Sequence, residues 1–360
     1  MKIIFEGVVN HPTGVATHHR NLLKALRKKG VDVQIFDFYR KEYGTEDLYT
    51  PVPISEGVGV LTYTPAIWNR IPPTPRRVAY CIHEGSKCPK EWALAINQTV
   101  EKLLVPSKAT KNLFMSSGVR VPISVVHEGI DPELYKPTGK KIEITPPSDV
   151  KIESPFVFLF VGSWTGTEGS HKGVDVLIKA YSEEFKKDEN VLLFLKLSTF
   201  WTNPIDYNAV IKGMKLPEDR GFILADNSEV PEEALPNLYR TADCFVSATR
   251  GESWCLPLGE AMACGLPVIC MNNDMAGYMD YVPKENFFFK SKGVEQADPS
   301  FYCGGNMMPV PDKEDLKRVM REVFNSSKKK REEVGKANAK VMKEKFTWEK
   351  SAEKFIEVVK

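Results

Sequence analysis

Two successive runs of short apolar strands alternating with helix-periodic stretches, separated by one proline-rich joint, constrain this chain most. In the first run, strand-like pieces fall at Lys2–Phe5, at the alternating Val31, Val33 and Ile35, and at Gly59–Tyr63, Val78–His83, Leu103–Val105 and Ile123–His127. Val15, Leu22, Leu23 and Leu26 recur at helical spacing between the first two, and Gly30 closes that helix. Residues 136–155 carry four prolines and many charges, the composition of a surface connection. A second run follows, with strands at Phe156–Val161, Val191–Leu197, Gly221–Leu224 and Cys244–Ser247 and helices at Val174–Phe185 and near Glu232–Thr241. Such alternation predicts parallel sheets covered by helices on both faces. The expected fold class is therefore α/β, two doubly wound Rossmann-like domains facing a cleft, divided at residues 1–145 and 146–342. Residues 285–308, with Phe287–Phe289 and the pair Gly304-Gly305 but no period, read as an ordered loop insertion, and 312–360 as lysine-rich helix. In that tail Lys328–Glu333 is expected to be a solvated helix face.

A chain of 360 residues fits two domains of ordinary size, and 42% hydrophobic with 27% charged residues is the balance of a globular protein. A net charge of +2 gives no bulk electrostatic case for nucleic acid. No apolar run is long enough to span a bilayer, and Met1–Phe5 lacks the long apolar stretch of a signal peptide. The seven cysteines are odd in number and show no paired zinc-ligand spacing, so reduced thiols in a cytoplasmic setting are the expectation.

The richest segment is Arg250–Ile269. Glu252 is placed in a loop and Glu260 in the first turn of a helix that Pro257 opens, Gly265 ends and Pro267 stops. Two carboxylates beside one helix N-terminus, with its unpaired N–H groups, suit a ligand that carries both phosphate and hydroxyls. An ordinary glycine-terminated helix with surface acids is the plainer alternative. Gly162–Gly173 follows the first strand of the second run. Its glycines at 162, 166, 169 and 173 let backbone approach a ligand, and Lys172 stands at a helix mouth within reach of a diphosphate. The alternative is a polar loop with a solvated lysine, since the Walker spacing is absent.

Gly7–Gly14 occupies the same place in the first run. Gly14 is either a plain turn or a point of ligand approach, and Asp37 ends the next strand where a dinucleotide-binding acid stands in other folds. His83 follows a strand, where it faces the cleft as a hydrogen-bonder of sugar or of neighbouring protein. Within His127–Asp131, Gly129 marks a turn and Asp131 a cap. Arg20, Lys24, Arg27 and Lys28 line one face of the first helix, solvated or in peripheral contact with anionic lipid headgroups.

Taken in order, these segments resemble a retaining glycosyltransferase of family 4 with the two-domain GT-B fold. The likeness runs from Gly14 and His83 through Gly162 and Lys172-Gly173 to Glu252-x7-Glu260 and Phe346–Glu349. It implies a last helix, within 343–360, that crosses back to the first domain. It further implies a nucleotide-sugar donor, UDP- or GDP-hexose, held by the second domain, and a glycan or lipid-linked acceptor. Lys172 would neutralise the diphosphate, Glu260 accept from ribose hydroxyls, and Glu252 and His83 approach the donor sugar. Backbone around Ser253, Trp254, Cys255 and Leu256 would cradle phosphate, with Gly14 and Gly162 close by. No metal and no cofactor is implied, and retention is commonly explained by front-face attack assisted by the leaving phosphate.

One departure stands out: Ser163 occupies the place where the family commonly carries arginine, with Thr165, Thr167 and Arg250 as candidate substitutes. A guanidinium–phosphate contact is worth about 1.5–3 kcal/mol. A nucleotide-sugar-binding protein without turnover, an epimerase on the same fold and a nicotinamide-dependent oxidoreductase are the competing readings.

Overall fold

The computed structural model describes residues 1–11, 13–37, 56–62, 65, 68, 74–144, 152–165, 169–198, 206–298 and 304–360. Tyr63, the expected boundary at 145/146, Gly166, Thr167 and Cys303 lie outside these residues. Strands β1 (Lys2–Gly7), β2 (Asp32–Asp37), β3 (Val58–Thr62), β4 (Arg76–Tyr80), β5 (Lys102–Val105) and β6 (Ile123–Val125) form an all-parallel sheet ordered β2-β1-β3-β4-β5-β6. Helices α1 (Gly14–Lys28), α2 (Lys90–Thr99) and α3 (Lys108–Ser116) connect its strands. A second all-parallel sheet is ordered β12-β11-β10-β7-β8-β9. Its members are β7 (Phe156–Ser163), β8 (Val191–Ser198), β9 (Phe222–Asp226), β10 (Cys244–Ser247), β11 (Val268–Met271) and β12 (Phe287–Phe289). Between them run α4 (Val174–Glu184), α5 (Tyr207–Gly213), α6 (Leu235–Thr241) and α7 (Leu256–Ala263).

The apolar run Phe-Val-Phe-Leu-Phe in β7 is what a strand covered on both faces requires. Strand order reverses at β1 in the first sheet and at β7 in the second, so the loops 7–14 and 163–173 both leave at switch points, the usual seat of a ligand crevice. β4 stops at Tyr80 rather than His83, which frees Ile82 and His83 from the ladder to face that crevice.

Residues 285–308 are not a loop insertion. Phe287–Phe289 is the edge strand β12, and β13 (Ser291–Gln296) pairs antiparallel with β14 (Met307–Pro311). A three-residue strand is too short to show a period, and β13 is mostly solvent-exposed, which hid both from pattern reading. The hairpin reaches the first domain: Ser86 N–H donates to the Met307 carbonyl at 3.0 Å.

The tail forms α8 (Lys313–Asn325), α9 (Lys328–Lys345) and α10 (Trp348–Val359). α10 is capped by Thr347, whose side chain accepts from Lys350 N–H, and it docks on the first domain. Lys29 meets Glu353 at 2.7 Å, and Arg76 donates to the Val359 carbonyl at 2.9 Å. Gly129 is needed where this return passes, because a Cβ there would stand 2.3 Å from the Trp348 nitrogen. One apolar cluster runs from Ile3 and Phe5 through Ile130 to Trp254, Leu258 and Phe355, joining both halves.

The basic face of α1 is largely spent within the protein. Arg20 donates to the carbonyls of Val9 and His11, Arg27 to that of Val33, and Lys28 pairs with Glu349 at 3.4 Å, while Lys24 stays exposed. No described helix is long and apolar enough to cross a membrane.

Candidate functional site

A cavity of about 530 Å³ opens between the C-terminal ends of the two sheets. Thr13, Gly14, His83, Glu84 and Glu128 line it from the first domain, and Gly162, Ser163, Thr165, His171, Lys172 and Glu252–Pro257 from the second. Its size is that of a small-ligand site.

Lys172 is aimed by its neighbour. Gly173 sits in the left-handed region at φ 68° as the N-cap of α4, and a Cβ there would lie 1.9 Å from the Ala248 carbonyl oxygen. Gly173→Ala is therefore expected to destabilise the protein by at least about 2 kcal/mol, read as a shift of the denaturant midpoint. Stability within about 0.5 kcal/mol of the parent would contradict this account of the turn. From this turn the Lys172 ammonium lies 2.9 Å from Glu252 Oε1 and 3.6 Å from Glu84 Oε1. Desolvation lowers its pKa, but the two carboxylates outweigh that and hold it protonated. Burial and the Glu84 charge push Glu252 up, against the pull of Lys172.

Glu84 is a hub from the first domain. Its Oε2 is 2.6 Å from His171 Nε2, whose Nδ1 is 3.2 Å from Thr165 Oγ1, and Ser163 Oγ is a further 3.4 Å from Thr165. Asn306, just before β14, holds the loop that carries Glu84. Its Nδ2 donates to the Glu84 carbonyl at 2.9 Å, and its Oδ1 accepts from Ser86 and Lys87 N–H.

α7 begins beside this cluster. Leu256 opens it, with Pro257 second, and Cys255 caps it at φ 80°, a left-handed conformation without a glycine. Backbone strain of that kind persists where surroundings over-determine it, and Tyr281 does so by donating to the carbonyls of Trp254 and Cys255 at 3.0 and 2.8 Å. No side chain caps the first N–H groups, so their partial positive charge faces the cavity wall. Ser253 Oγ donates to the His83 carbonyl at 2.7 Å, tying the two domains together at the rim. The Trp254 ring is buried against His127 and Tyr281, and the residue contributes to the cavity lining.

His83 lines the cavity with its ring against Trp92, and burial lowers its pKa. Gly14 lies opposite Leu256. A Cβ on Gly14 would stand 4.0 Å from Leu256 Cδ1, so protein packing does not dictate glycine there. Gly162 packs on Phe160, whose ring would stand 2.8 Å from a Cβ.

Glu260 stands apart. With the helix starting at Leu256 it falls in the second turn, not the first, and that rotation aims it at α6. There it accepts from Tyr239 at 2.8 Å, and burial pushes its carboxyl up to about 7. It is not among the residues lining the cavity. Arg250 is engaged elsewhere too, with Asp175 at 3.2 Å and Glu295 at 3.2 Å.

Glu84, Glu128 and His171 line the cavity although sequence pattern alone gives them no role. Each adjoins a residue that pattern does mark: His83, His127 and Lys172. Spacing locates such a loop but does not say which of two neighbours turns inward. Glu128 is 4% exposed, with His18 Nδ1 3.7 Å from its carboxylate. Among the described residues no group of three or more His, Cys, Asp or Glu side chains is arranged to hold a metal ion.

Residues 155–296 match the family described as glycosyl transferases group 1. Spore coat protein SA of Bacillus subtilis is 23% identical over 253 residues, 66% of this chain and 59% of that protein. O-antigen chain mannosyltransferase B of Escherichia coli is 51% identical over 111 residues, 30% of this chain and 28% of that protein. The chain thus spans less than two thirds of the length of either relative. Among solved structures, sucrose-phosphate synthase from Thermosynechococcus elongatus superposes with a TM-score of 0.72 at 14% identity, covering 99% of this chain and 98% of that one. HepE from Anabaena, solved with UDP and glucose, gives 0.63 at 16% identity, covering 100% and 99%.

Proposed function

From the match of residues 155–296 to glycosyl transferases group 1 and from the two-domain fold, we propose that the chain transfers a hexose from UDP- or GDP-hexose, with retention, to a hydroxyl of a glycan, lipid-linked saccharide or small acceptor. One observation carries the reading. A half-buried lysine, paired at 2.9 Å with a cleft carboxylate, stands beside an uncapped helix N-terminus in a cavity between two Rossmann-like domains. The mannosyltransferase and the UDP-and-glucose complex among its likenesses support a hexose and a nucleoside diphosphate.

In this reading the diphosphate lies against Trp254–Leu256 and the Lys172 ammonium. As the anomeric C–O bond breaks, negative charge grows on the leaving phosphate oxygen, and Lys172 and the α7 dipole stabilise it without a metal. The acceptor hydroxyl attacks from the same face and passes its proton to that oxygen. Glu252 is released from Lys172 toward the sugar, and His83 bonds a sugar hydroxyl from the first domain. Ribose recognition by Glu260 requires its carboxylate, which Tyr239 and Tyr135 engage outside the cavity, to turn from α6 toward the donor. Gly14 leaves room for the donor or acceptor.

Released nucleoside diphosphate and transferred sugar, measured with UDP- and GDP-hexoses, test this. Glu252→Ala is expected to lower kcat by roughly 100-fold with donor binding kept. Glu260→Ala is expected to raise donor KM about tenfold. Nucleotide binding without turnover would make this a binding protein, and hexose interconversion without acceptor an epimerase. Parent-like kinetics in both variants would remove the assigned roles.

A further inference from the structure

We propose that Asn306 is a positioning residue for sugar transfer: its side-chain amide clasps the first-domain loop 83–87 to the second-domain hairpin and so sets His83 in the pocket. The inference rests on the glycosyltransferase reading and extends it to a residue outside the cavity lining.

Asn306 is fully buried, and its own carbonyl accepts from Ala297 N–H at 2.8 Å, which fixes it in the second domain. From there its side chain meets three backbone groups of the first domain. Nδ2 donates to the Glu84 carbonyl at 2.9 Å, and Oδ1 accepts from Ser86 N–H at 2.8 Å and Lys87 N–H at 3.2 Å. A backbone N–H can only donate and a carbonyl can only accept, so these partners fix which end of the amide faces which group. The loop closes directly on that amide. Gly85 between them has φ 94°, and a Cβ there would stand 2.4 Å from Asn306 Oδ1. Aspartate at 306 would offer acceptors only, and alanine neither function.

The clasp bears on His83 through its neighbours. The Lys87 backbone hydrogen-bonds the His83 ring, which packs on Trp92 with centroids 5.0 Å apart. The His83 carbonyl accepts from Ser253 Oγ at 2.7 Å. Met307, next along the hairpin, donates its N–H to Ser86 Oγ at 2.9 Å and accepts from Ser86 N–H at 3.0 Å. A short first-domain loop is thus pinned to the second domain along its length. Lys172 and the start of α7, by contrast, are built within the second domain. Loss of the clasp therefore shifts the sugar contact against a nucleotide that stays bound, and a shift of about 1 Å can cost on the order of 100-fold in rate.

Transfer from UDP- and GDP-hexoses, and calorimetric binding of UDP and GDP, are measured for five proteins. These are the parent, Asn306→Ala, Asn306→Asp, His83→Ala and the His83→Ala/Asn306→Ala double variant, each first shown folded by circular dichroism. Asn306→Ala is expected to lower kcat about 100-fold, while the Kd of whichever nucleotide binds the parent stays within about threefold. Asn306→Asp keeps the size and both acceptor bonds but loses the donor to Glu84, and its expected loss is about tenfold. It carries the test where alanine prevents folding. The double variant is expected to be within about threefold of the slower single one, because both act through one ring. A clasp that serves stability alone would lower the thermal midpoint and leave kcat parent-like in both Asn306 variants, which would overturn the role. So would nucleotide affinity that falls in step with kcat, or losses that multiply in the double variant. A parent protein that turns over no UDP- or GDP-hexose removes the glycosyltransferase reading and this inference with it. An active parent with parent-like Asn306 variants removes this inference alone.

Discussion

Lys172→Met is expected to lower transfer by at least ~100-fold and to cost about 3 kcal/mol of stability at neutral pH. Methionine keeps the length and apolar stem of lysine and removes only the charge. Glu252 and Glu84 then face each other across the pocket without the ammonium that lies 2.9 and 3.6 Å from them. Removing one partner of a buried pair typically costs about 3–5 kcal/mol, and the lower end applies because the Lys172 side chain keeps 18% of its surface exposed. The two losses separate by pH. Acid protonates the glutamates and restores stability, whereas it cannot restore an ammonium to the leaving phosphate. Urea unfolding at pH 5 and 7.5, with transfer assays alongside, checks both. A variant as active as the parent would contradict the role of Lys172.

Glu128→Gln is expected to stabilise the protein at alkaline pH. Burial, then the charge of Glu252, pushes Glu128 up to about 8 from an ordinary value of 4.5. Below 4.5 the group is neutral in both folded and unfolded chains and costs nothing. As pH rises from there toward 8 the unfolded chain ionises first, so stability falls, reaching a full penalty on the order of 4–5 kcal/mol above the folded value. His18 does not relieve it, since burial drives that imidazole well below 6.5 and leaves it neutral. Glutamine fills the same space without ionising. Thermal midpoints from pH 5 to 9 are expected to fall less steeply in the variant, with the two proteins alike near pH 5. Glu260, pushed up to about 7, leaves a smaller decline in the same direction. Parallel curves would contradict the assignment.

Much of this fold was legible because its strands are apolar on both faces and its helices carry a clean period. The strands from Lys2 to Val105, and the stretch Phe156–Ile269, fall close to where periodicity placed them. The hairpin at 291–311 was not, because its stability comes from contacts with a loop distant in sequence: Asn306 on Glu84, Ser86 and Lys87. The site divides in the same way. The position of Lys172 and Glu252 at the cleft was readable, since a loop after a buried strand must open at the sheet end. Glu260 was placed one residue too early along the helix, in its first turn rather than its second, because Pro257 marks the second position of α7 rather than the first. His171 and Glu84 needed coordinates, since their meaning lies in a 2.6 Å contact across 87 residues of chain.

The central claim is that a nucleoside diphosphate binds between these two domains against Lys172 and the start of α7. A thermal-shift panel of UDP, GDP, ADP, TDP and NAD on the intact protein tests it most directly. A ligand at about 100 times its dissociation constant adds about 2.7 kcal/mol of stability. UDP or GDP is expected to raise the midpoint, NAD to leave it unchanged, and Lys172→Met to erase the shift. Stabilisation by NAD alone, or a nucleoside diphosphate shift that survives Lys172→Met undiminished, would contradict it.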